Sequence, residues 1–226
     1  MSEAQLLQPQ SSPPLARSPI APPPPVIVLA GWEVSGRQAV GAGVTITDCT
    51  PLAKVQLRAP VAGQVAAAIG VRFGRAARDR AGTLVVGSGP GEWLLLAAPG
   101  QAAELQAGLA SLEAHAPGEH VTWVDLTHGR ALIRLTGARV VAVLARICGI
   151  DLSDEITPDG AAFRTSVASV ATDIVRDDVG GARSYLLHCE RSSGDYLFGA
   201  LLRAGADFGI EIDGFRLPPA PAPHGI

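Results

Sequence analysis

The chain has 226 residues, 47% of them hydrophobic but only 4% aromatic, with 18 Lys and Arg against 21 Asp and Glu. That length supports one or two compact domains, with a core built of Leu, Val, Ile and Ala. A net charge of -3 without a basic run argues against a nucleic-acid surface. Three cysteines (Cys49, Cys148, Cys189) with no CxxC pair argue for a reduced compartment over a disulfide framework. The longest apolar run near the N-terminus, Val26 to Ala30, is too short to span a bilayer, and no basic segment leads into it. The reading is a cytoplasmic protein without a membrane partner.

Residues 1–43 read as a Pro-rich, disordered extension, because Pro, Ser and Gln bury too little to offset ordering entropy. Within it Val26 to Leu29 suits an edge strand, and the glycines after it suggest loop. A first α+β unit is expected over residues 44–118. Asp48-Cys-Thr-Pro51 makes a turn, then Ala53, Val55 and Leu57 alternate along a strand with Lys54, Gln56 and Arg58 on its other face. Val61, Val65, Ala68 and Ile69 suit a short helix closed by Gly70. Leu84 to Val86 and Glu92 to Ala97 flank Gly87-Ser-Gly-Pro-Gly91 as a hairpin, and Leu105, Leu109 and Leu112 mark a helix.

A second unit over residues 119–216 repeats this order. Asp125 and Thr127 stand where Asp48 and Thr50 stood, and Ile133 and Leu135 stand for Val55 and Leu57. A helix is expected from about Ala138 to Cys148. Val170 to Arg176 and Ser184 to Cys189 form a hairpin across Gly180-Gly181, with Tyr185 in the place of Trp93. A helix runs from about Ser193 to Gly205, and Ile210 and Ile212 suggest a last strand. Residues 217–226 read as a flexible Pro-rich tail. The fold class is therefore α+β, with two tandem ferredoxin-like β-α-β-β-α units, each an antiparallel sheet with helices on one face.

The chemistry-bearing motifs are sparse. The glycine run 87–91 lacks the Lys-Ser/Thr ending of a P-loop and precedes a strand, so it reads as a hairpin turn. No HExxH, GxSxG or GxGxxG occurs, and no His pairs with another His or Cys at metal spacing, so no metal ligands are assigned. His188 and Glu190 share one strand face, with Cys189 on the other. Asp125-Leu-Thr-His-Gly-Arg130 is the best polar cluster. Asp125 and Thr127 brace the turn, or Asp125 with Arg130 reaches a ligand; the recurrence of Asp and Thr at 48 and 50 favours bracing. Arg191-Ser-Ser-Gly could hold an anion, although Ser192 or Ser193 as a helix cap is commoner. No catalytic constellation stands out, which points toward a binding or scaffolding role.

Several runs carry a family resemblance. They are Asp48-Cys-Thr-Pro-Leu-Ala-Lys-Val-Gln-Leu-Arg-Ala-Pro60, Gly70-Val-Arg-Phe-Gly-Arg75, Val86-Gly-Ser-Gly-Pro-Gly-Glu-Trp-Leu-Leu-Leu96, Asp125-Leu-Thr-His-Gly-Arg-Ala131, Phe163-Arg-Thr-Ser166 and Tyr185-Leu-Leu-His-Cys-Glu-Arg-Ser-Ser193. From about Thr47 to Phe215 the chain resembles the gamma subunit of heterotetrameric sarcosine oxidase, within the folate-binding folds of the glycine-cleavage T-protein group. The resemblance implies alpha, beta and delta partner subunits, oxidation of sarcosine to glycine with hydrogen peroxide, and a one-carbon unit released as formaldehyde or methylene-tetrahydrofolate. It implies FAD, FMN, NAD, tetrahydrofolate and zinc in the other subunits, and none bound by this chain itself. The chain is then non-catalytic. Arg130 and Arg191 are candidate folate contacts, and Trp93 and Tyr185 are either interface anchors or plain core residues. The equivalent subunit of another N-methyl amino acid oxidase or dehydrogenase, or a free-standing folate-binding protein, are the other readings.

Overall fold

A computed structural model describes residues 14–41 and 43–218. The strands and helices, in chain order, are β1 (Ala16–Arg17), β2 (Val26–Leu29), β3 (Trp32–Ser35), β4 (Val44–Asp48), β5 (Ala53–Arg58), α1 (Gln64–Ile69), β6 (Ala76–Arg78), β7 (Leu84–Gly89), β8 (Glu92–Ala97), α2 (Ala102–Ala114), β9 (Thr122–Asp125), β10 (Arg130–Thr136), α3 (Val140–Leu144), β11 (Ala162–Val167), β12 (Val170–Arg176), β13 (Ser184–Glu190), α4 (Gly194–Gly205) and β14 (Ile210–Ile212). The mixed α+β class and most of these elements match the sequence reading.

The tandem arrangement does not appear. A five-stranded sheet runs β6-β7-β8-β5-β9, and a six-stranded sheet runs β11-β12-β13-β10-β4-β14. Each repeat thus lends its first strand to the other. β4 pairs with β10, matching Ile46 to Leu135, and β9 pairs with β5, matching Trp123 to Leu57. The chain crosses between sheets twice, once at the Asp48 turn and once at the Asp125 turn. Units bounded at residue 118 therefore do not correspond to the two sheets.

Alternation along the strands shows how the sheets stack. On β10, Ala131, Ile133 and Leu135 pack with α3 and α4 residues such as Val143 and Leu201, whereas Leu132 faces the other way. On β8, Trp93 and Leu95 pack with Val65 of α1 and Leu109 of α2, whereas Leu94 and Leu96 face Leu132, Val175 and Leu186 of the larger sheet. The two sheets therefore meet face to face between outer helical layers. The sheet faces turned away from the helices cover each other.

The second departure concerns residues 14–43, expected within a disordered extension. β1, β3 and β2 form a small sheet, with β3 parallel to β1 and antiparallel to β2. Ile20 is 2% exposed in the core under the larger sheet, and Trp32 is 4% exposed in the inter-sheet cluster. Proline content predicted disorder, but a few large apolar anchors suffice to dock the segment. Residues 1–13 and most of the tail expected over residues 217–226 lie outside the described residues.

The 87–91 run closes the β7–β8 hairpin, as read, although β7 extends through Gly89 and the turn itself is Pro90-Gly91, with an irregular register between Gly87 and Gly89. At Gly87 a Cβ would collide with the backbone carbonyl of Arg72, which belongs to the chain passing behind the hairpin and cannot swing aside as a side chain would. Gly87→Ala is expected to cost about 2 kcal/mol, read as a lowered urea midpoint with an unchanged slope. An unaltered midpoint would show that this close approach is relaxed in solution.

Candidate functional site

The two chain crossings build one local structure with approximate two-fold symmetry. In the first turn the Thr50 amide donates to Asp48 Oδ1 at 2.9 Å; in the second the Thr127 amide donates to Asp125 Oδ1 at 2.8 Å. Each threonine hydroxyl then reaches the opposite half. Thr127 Oγ1 accepts from the Lys54 amide at 3.1 Å, and Thr50 Oγ1 accepts from the Leu132 amide at 3.2 Å. The backbone repeats the exchange, Leu126 N to Lys54 O at 2.8 Å and Cys49 N to Leu132 O at 2.7 Å. The Asp-x-Thr pair thus folds its own turn and stitches it to the next strand of the other repeat. This is the bracing role, and it explains why the pair recurs.

Symmetry fails at one position. Leu132 has Lys54 as its counterpart, and Lys54 is 0% exposed. Its ammonium donates to the carbonyls of Thr50 at 2.7 Å, Leu52 at 2.8 Å and Thr127 at 3.2 Å. Burial lowers its pKa from 10.5 to about 8, an effect that Asp48, Cys49 and Asp125 oppose. Burial likewise raises the Asp48 carboxyl. The alternating pattern placed Lys54 on the polar face of β5; that face lies against the second sheet, so the ammonium is enclosed.

The other candidates are occupied with structural contacts. Arg130 pairs with Glu190 across the β10–β13 register. Arg191 donates through Nη2 to the Arg17 carbonyl at 2.7 Å and through Nη1 to the His128 carbonyl at 3.3 Å. His128 in turn stacks on Trp32, ring centroids 4.9 Å apart and planes 10° from parallel. Arg191 and His128 therefore hold the N-terminal sheet onto the second crossing. Ser193 stands at the start of α4 without a side-chain cap bond; a 3-10 turn over Arg191–Ser193 leads into the helix. Arg191→Ala should cost about 1 kcal/mol and speed limited proteolysis of the segment around β1. Unchanged cleavage would mean that the Trp32 stack alone secures it.

Trp93 and Tyr185, expected as interface anchors, are 4% and 0% exposed and belong to the cores beneath the smaller and larger sheets. Trp93 Nε1 also donates to the Val71 carbonyl at 2.7 Å. Neither ring reaches the surface, so the place of Tyr185 as the counterpart of Trp93 reflects packing. The exposed large apolar side chains include Val61 and Phe73, which line a surface hollow of about 380 Å³ beside the 89–91 turn.

At the other end of the inter-sheet layer is an ion-pair network that sequence reasoning missed. Asp177 accepts from Arg78 Nη2 at 2.8 Å and from Arg134 Nη2 at 2.6 Å, tying the edge of the smaller sheet to the larger. Arg176 pairs with Asp178 and Asp154. The three cysteines are free and buried, and burial pushes Cys49 and Cys189 up to about 11, so neither is an activated nucleophile. Among the described residues no His/Cys/Asp/Glu group is arranged to hold a metal ion, and no helix is long and apolar enough to cross a membrane.

Comparison with known proteins gives four matches. The model of the family described as the GCVT N-terminal domain matches residues 85–216, more than half of the chain. An aminomethyltransferase of Geobacillus thermodenitrificans (strain NG80-2) is 31% identical over 127 residues, which are 56% of this chain and 33% of that protein. The chain thus covers about a third of the length of this relative. Among solved structures, a chain of the heterotetrameric sarcosine oxidase from Corynebacterium sp. U-96, in complex with pyrrole 2-carboxylate, superposes with a TM-score of 0.63 at 26% identity. That match covers 77% of this chain and 89% of the other. The glycine cleavage system aminomethyltransferase T from Bartonella henselae shares the fold, with a TM-score of 0.60 at 20% identity over 84% of this chain and 55% of that one.

Proposed function

From the premise that the chain belongs to the GCVT N-terminal domain family, we propose that it serves as the non-catalytic gamma subunit of a heterotetrameric sarcosine oxidase. The observation that carries this reading is one of extent. The sarcosine oxidase chain is matched over 89% of its length, whereas the T-protein is matched over 55% and the aminomethyltransferase over 33%. The likeness takes in nearly the whole of the sarcosine oxidase chain and only part of each transferase. Cytoplasmic assembly with alpha, beta and delta subunits follows, and so does their oxidation of sarcosine to glycine and peroxide, with formaldehyde or methylene-tetrahydrofolate as the one-carbon product.

The contacts of the polar side chains support a structural role. Asp48, Thr50, Asp125 and Thr127 brace the crossings, Arg130 is paired with Glu190, and Arg191 holds carbonyls. The space between the sheets does not fit a large cofactor. The cavity between the sheets has about 30 Å³, far below the several hundred that a pterin or flavin ring system occupies. A hollow of about 420 Å³ between α1, α2 and the smaller sheet is rimmed by Asp79 and Glu104, which repel the carboxylates of a folate tail. On this reading FAD, FMN, NAD, tetrahydrofolate and zinc would belong to the other subunits.

Capture of the tagged full chain from its native host, followed by mass spectrometry and a visible spectrum, tests the proposal. Three further chains, a flavin spectrum and sarcosine-dependent peroxide are expected. A chain that elutes alone and colourless under gentle conditions overturns it; tetrahydrofolate binding by that isolated chain would then identify a free-standing folate binder. Three partners with flavin but turnover of another N-methyl amino acid would keep the subunit role and correct the substrate.

A further inference from the structure

The fold holds one aromatic ring out to solvent on a fixed support. Phe73 is 62% exposed, on the chain that passes behind the β7–β8 hairpin. Backbone bonds pin that chain on both sides of the ring. The Gly74 amide donates to the Gly87 carbonyl at 3.0 Å, the Gly87 amide to the Arg75 carbonyl at 2.8 Å, and the Arg75 amide to the Arg72 carbonyl at 3.1 Å. Two residues before the ring, the Val71 carbonyl accepts from Trp93 Nε1 at 2.7 Å. The backbone is thus not free to carry the ring into the core. Its exposure is a standing apolar cost that another surface can remove.

Phe73 and Val61, the latter 66% exposed, belong to the hollow of about 380 Å³ between α1 and the Pro90-Gly91 turn. Gly63, Ala66, Ala67 and Gly91 line it with little side-chain bulk. The Ala59 amide donates to the Gly91 carbonyl at 3.0 Å and ties the turn to the end of β5. The small residues leave room for an incoming side chain, and the two larger ones supply apolar surface to hold it. A ligand site encloses most of its ligand; side chains as exposed as Val61 and Phe73 instead suit a projecting side chain of another polypeptide. The charge here has one sign. Among the lining residues only Arg72 is charged. Among the described residues neither Arg72 nor Arg75, on either side of Phe73, has a side-chain hydrogen bond or ion pair. Arg58, by contrast, pairs with Glu92 at 3.0 Å and Arg78 with Asp177 at 2.8 Å. Two acids of the adjoining chain are already engaged, Glu92 by Arg58 and Glu119 by the Gln64 and Val65 amides at the start of α1.

We propose that this hollow is the docking surface for a partner subunit, which packs a bulky apolar side chain against Val61 and Phe73 and sets a neighbouring carboxylate on Arg72. The occupant is an acidic, apolar segment of another polypeptide. This rests on the subunit reading above and adds to it the face that meets the partner. Burial of the Phe73 ring and of the incoming side chain supplies the attachment. The ion pair at Arg72 fixes the orientation and selects against basic segments.

The tagged full chain in its native host tests the surface, as wild type, as Phe73→Ser and as Arg72→Glu, with a photo-crosslinking side chain at Val61 in a fourth form. Partner recovered per folded molecule should fall about tenfold in each substitution, with the urea midpoint unchanged. The Val61 crosslink should join a segment of one identified partner subunit that carries an apolar residue beside an Asp or Glu. Reversal of that acid to Arg should restore capture by Arg72→Glu. A wild-type chain that assembles while both variants assemble equally well, or a crosslink to a second copy of this chain, overturns the docking surface and leaves the subunit reading standing. A wild-type chain that elutes without partners overturns the subunit reading, and the docking surface with it. The crosslink is read with Phe73 and Arg72 in place, so a variant that fails to fold does not remove the test.

Discussion

Lys54→Met should lower stability by about 3 kcal/mol at neutral pH, and the deficit should widen as the solution is made alkaline. The substitution removes the donor shared by the Thr50, Leu52 and Thr127 carbonyls, at about 1–3 kcal/mol for each buried acceptor left unmatched. It also removes a buried charge. The displacement of Lys54 from 10.5 to about 8 means that enclosure of its ammonium costs about 3 kcal/mol, which the methionine recovers. Three lost bonds outweigh one relieved charge, so the net sign is destabilising. The pH dependence follows from where the protons sit. Below about 8 both folded and unfolded chains keep the Lys54 proton, and the folded state bears the whole penalty. Between about 8 and 10.5 the unfolded chain stays protonated while the folded chain does not. The unfolded state then binds more protons, and stability rises with pH across that window. Urea melts of parent and variant at pH 7, 8, 9 and 10 test this. The parent should gain stability toward pH 10 through this residue and the variant should not. A variant as stable as the parent at pH 7, or two parallel pH profiles, would remove Lys54 from its place as the pin of the crossing.

That residue also marks the boundary of what the sequence discloses. Alternation of Val55 and Leu57 with Lys54 and Gln56 identified the strand and its apolar face, because period two is local. What covers the polar face is not local. The same alternation is compatible with solvent or with a second sheet, and only the inward-facing leucines of β8 and β13 decide for the sheet. The repeat was legible in Asp48-x-Thr50 and Asp125-x-Thr127, and so was its bracing role. The exchange of β4 and β9 between repeats was not, since an antiparallel strand pairs equally well with either neighbour and the choice is set by long-range closure. In the N-terminal segment composition misled: eight prolines up to Pro25 signal disorder, yet Ile20 and Trp32 are enough to anchor the chain. Of the candidate site, Arg130 and Arg191 stood out as residues, but nothing local showed that Glu190 and two backbone carbonyls already occupy them. His188 was placed on the right strand, but no local signal joins it to Asp173 of β12.

Trp93→Ala carries the largest expected loss, about 4 kcal/mol, and it separates a core role from an interface role. The indole lies among Val55, Leu57, Val65 and Leu109, between the smaller sheet and its helices, and spends its only donor on the Val71 carbonyl. Truncation opens a cavity that the close-packed sheet and helices cannot fill, and it orphans a carbonyl. With a typical slope of about 2 kcal/mol per molar, the urea midpoint should fall by roughly 2 M. Trp93→Phe keeps most of the volume and loses the bond, so it should forfeit about 1–2 kcal/mol. The discriminating measurement is partner capture per folded molecule, below the temperature at which the variant unfolds. A residue that works from inside the core lowers the folded fraction, while the folded molecules bind partners as before. Normal stability with capture lost would return Trp93 to the surface and require the β8 face to open in the complex. The exposed Phe73 supplies the contrast: Phe73→Ser should leave the stability within about 0.5 kcal/mol of the parent. If assembly depends on the hollow beside the 89–91 turn, that substitution, unlike the one at Trp93, should reduce capture without touching stability.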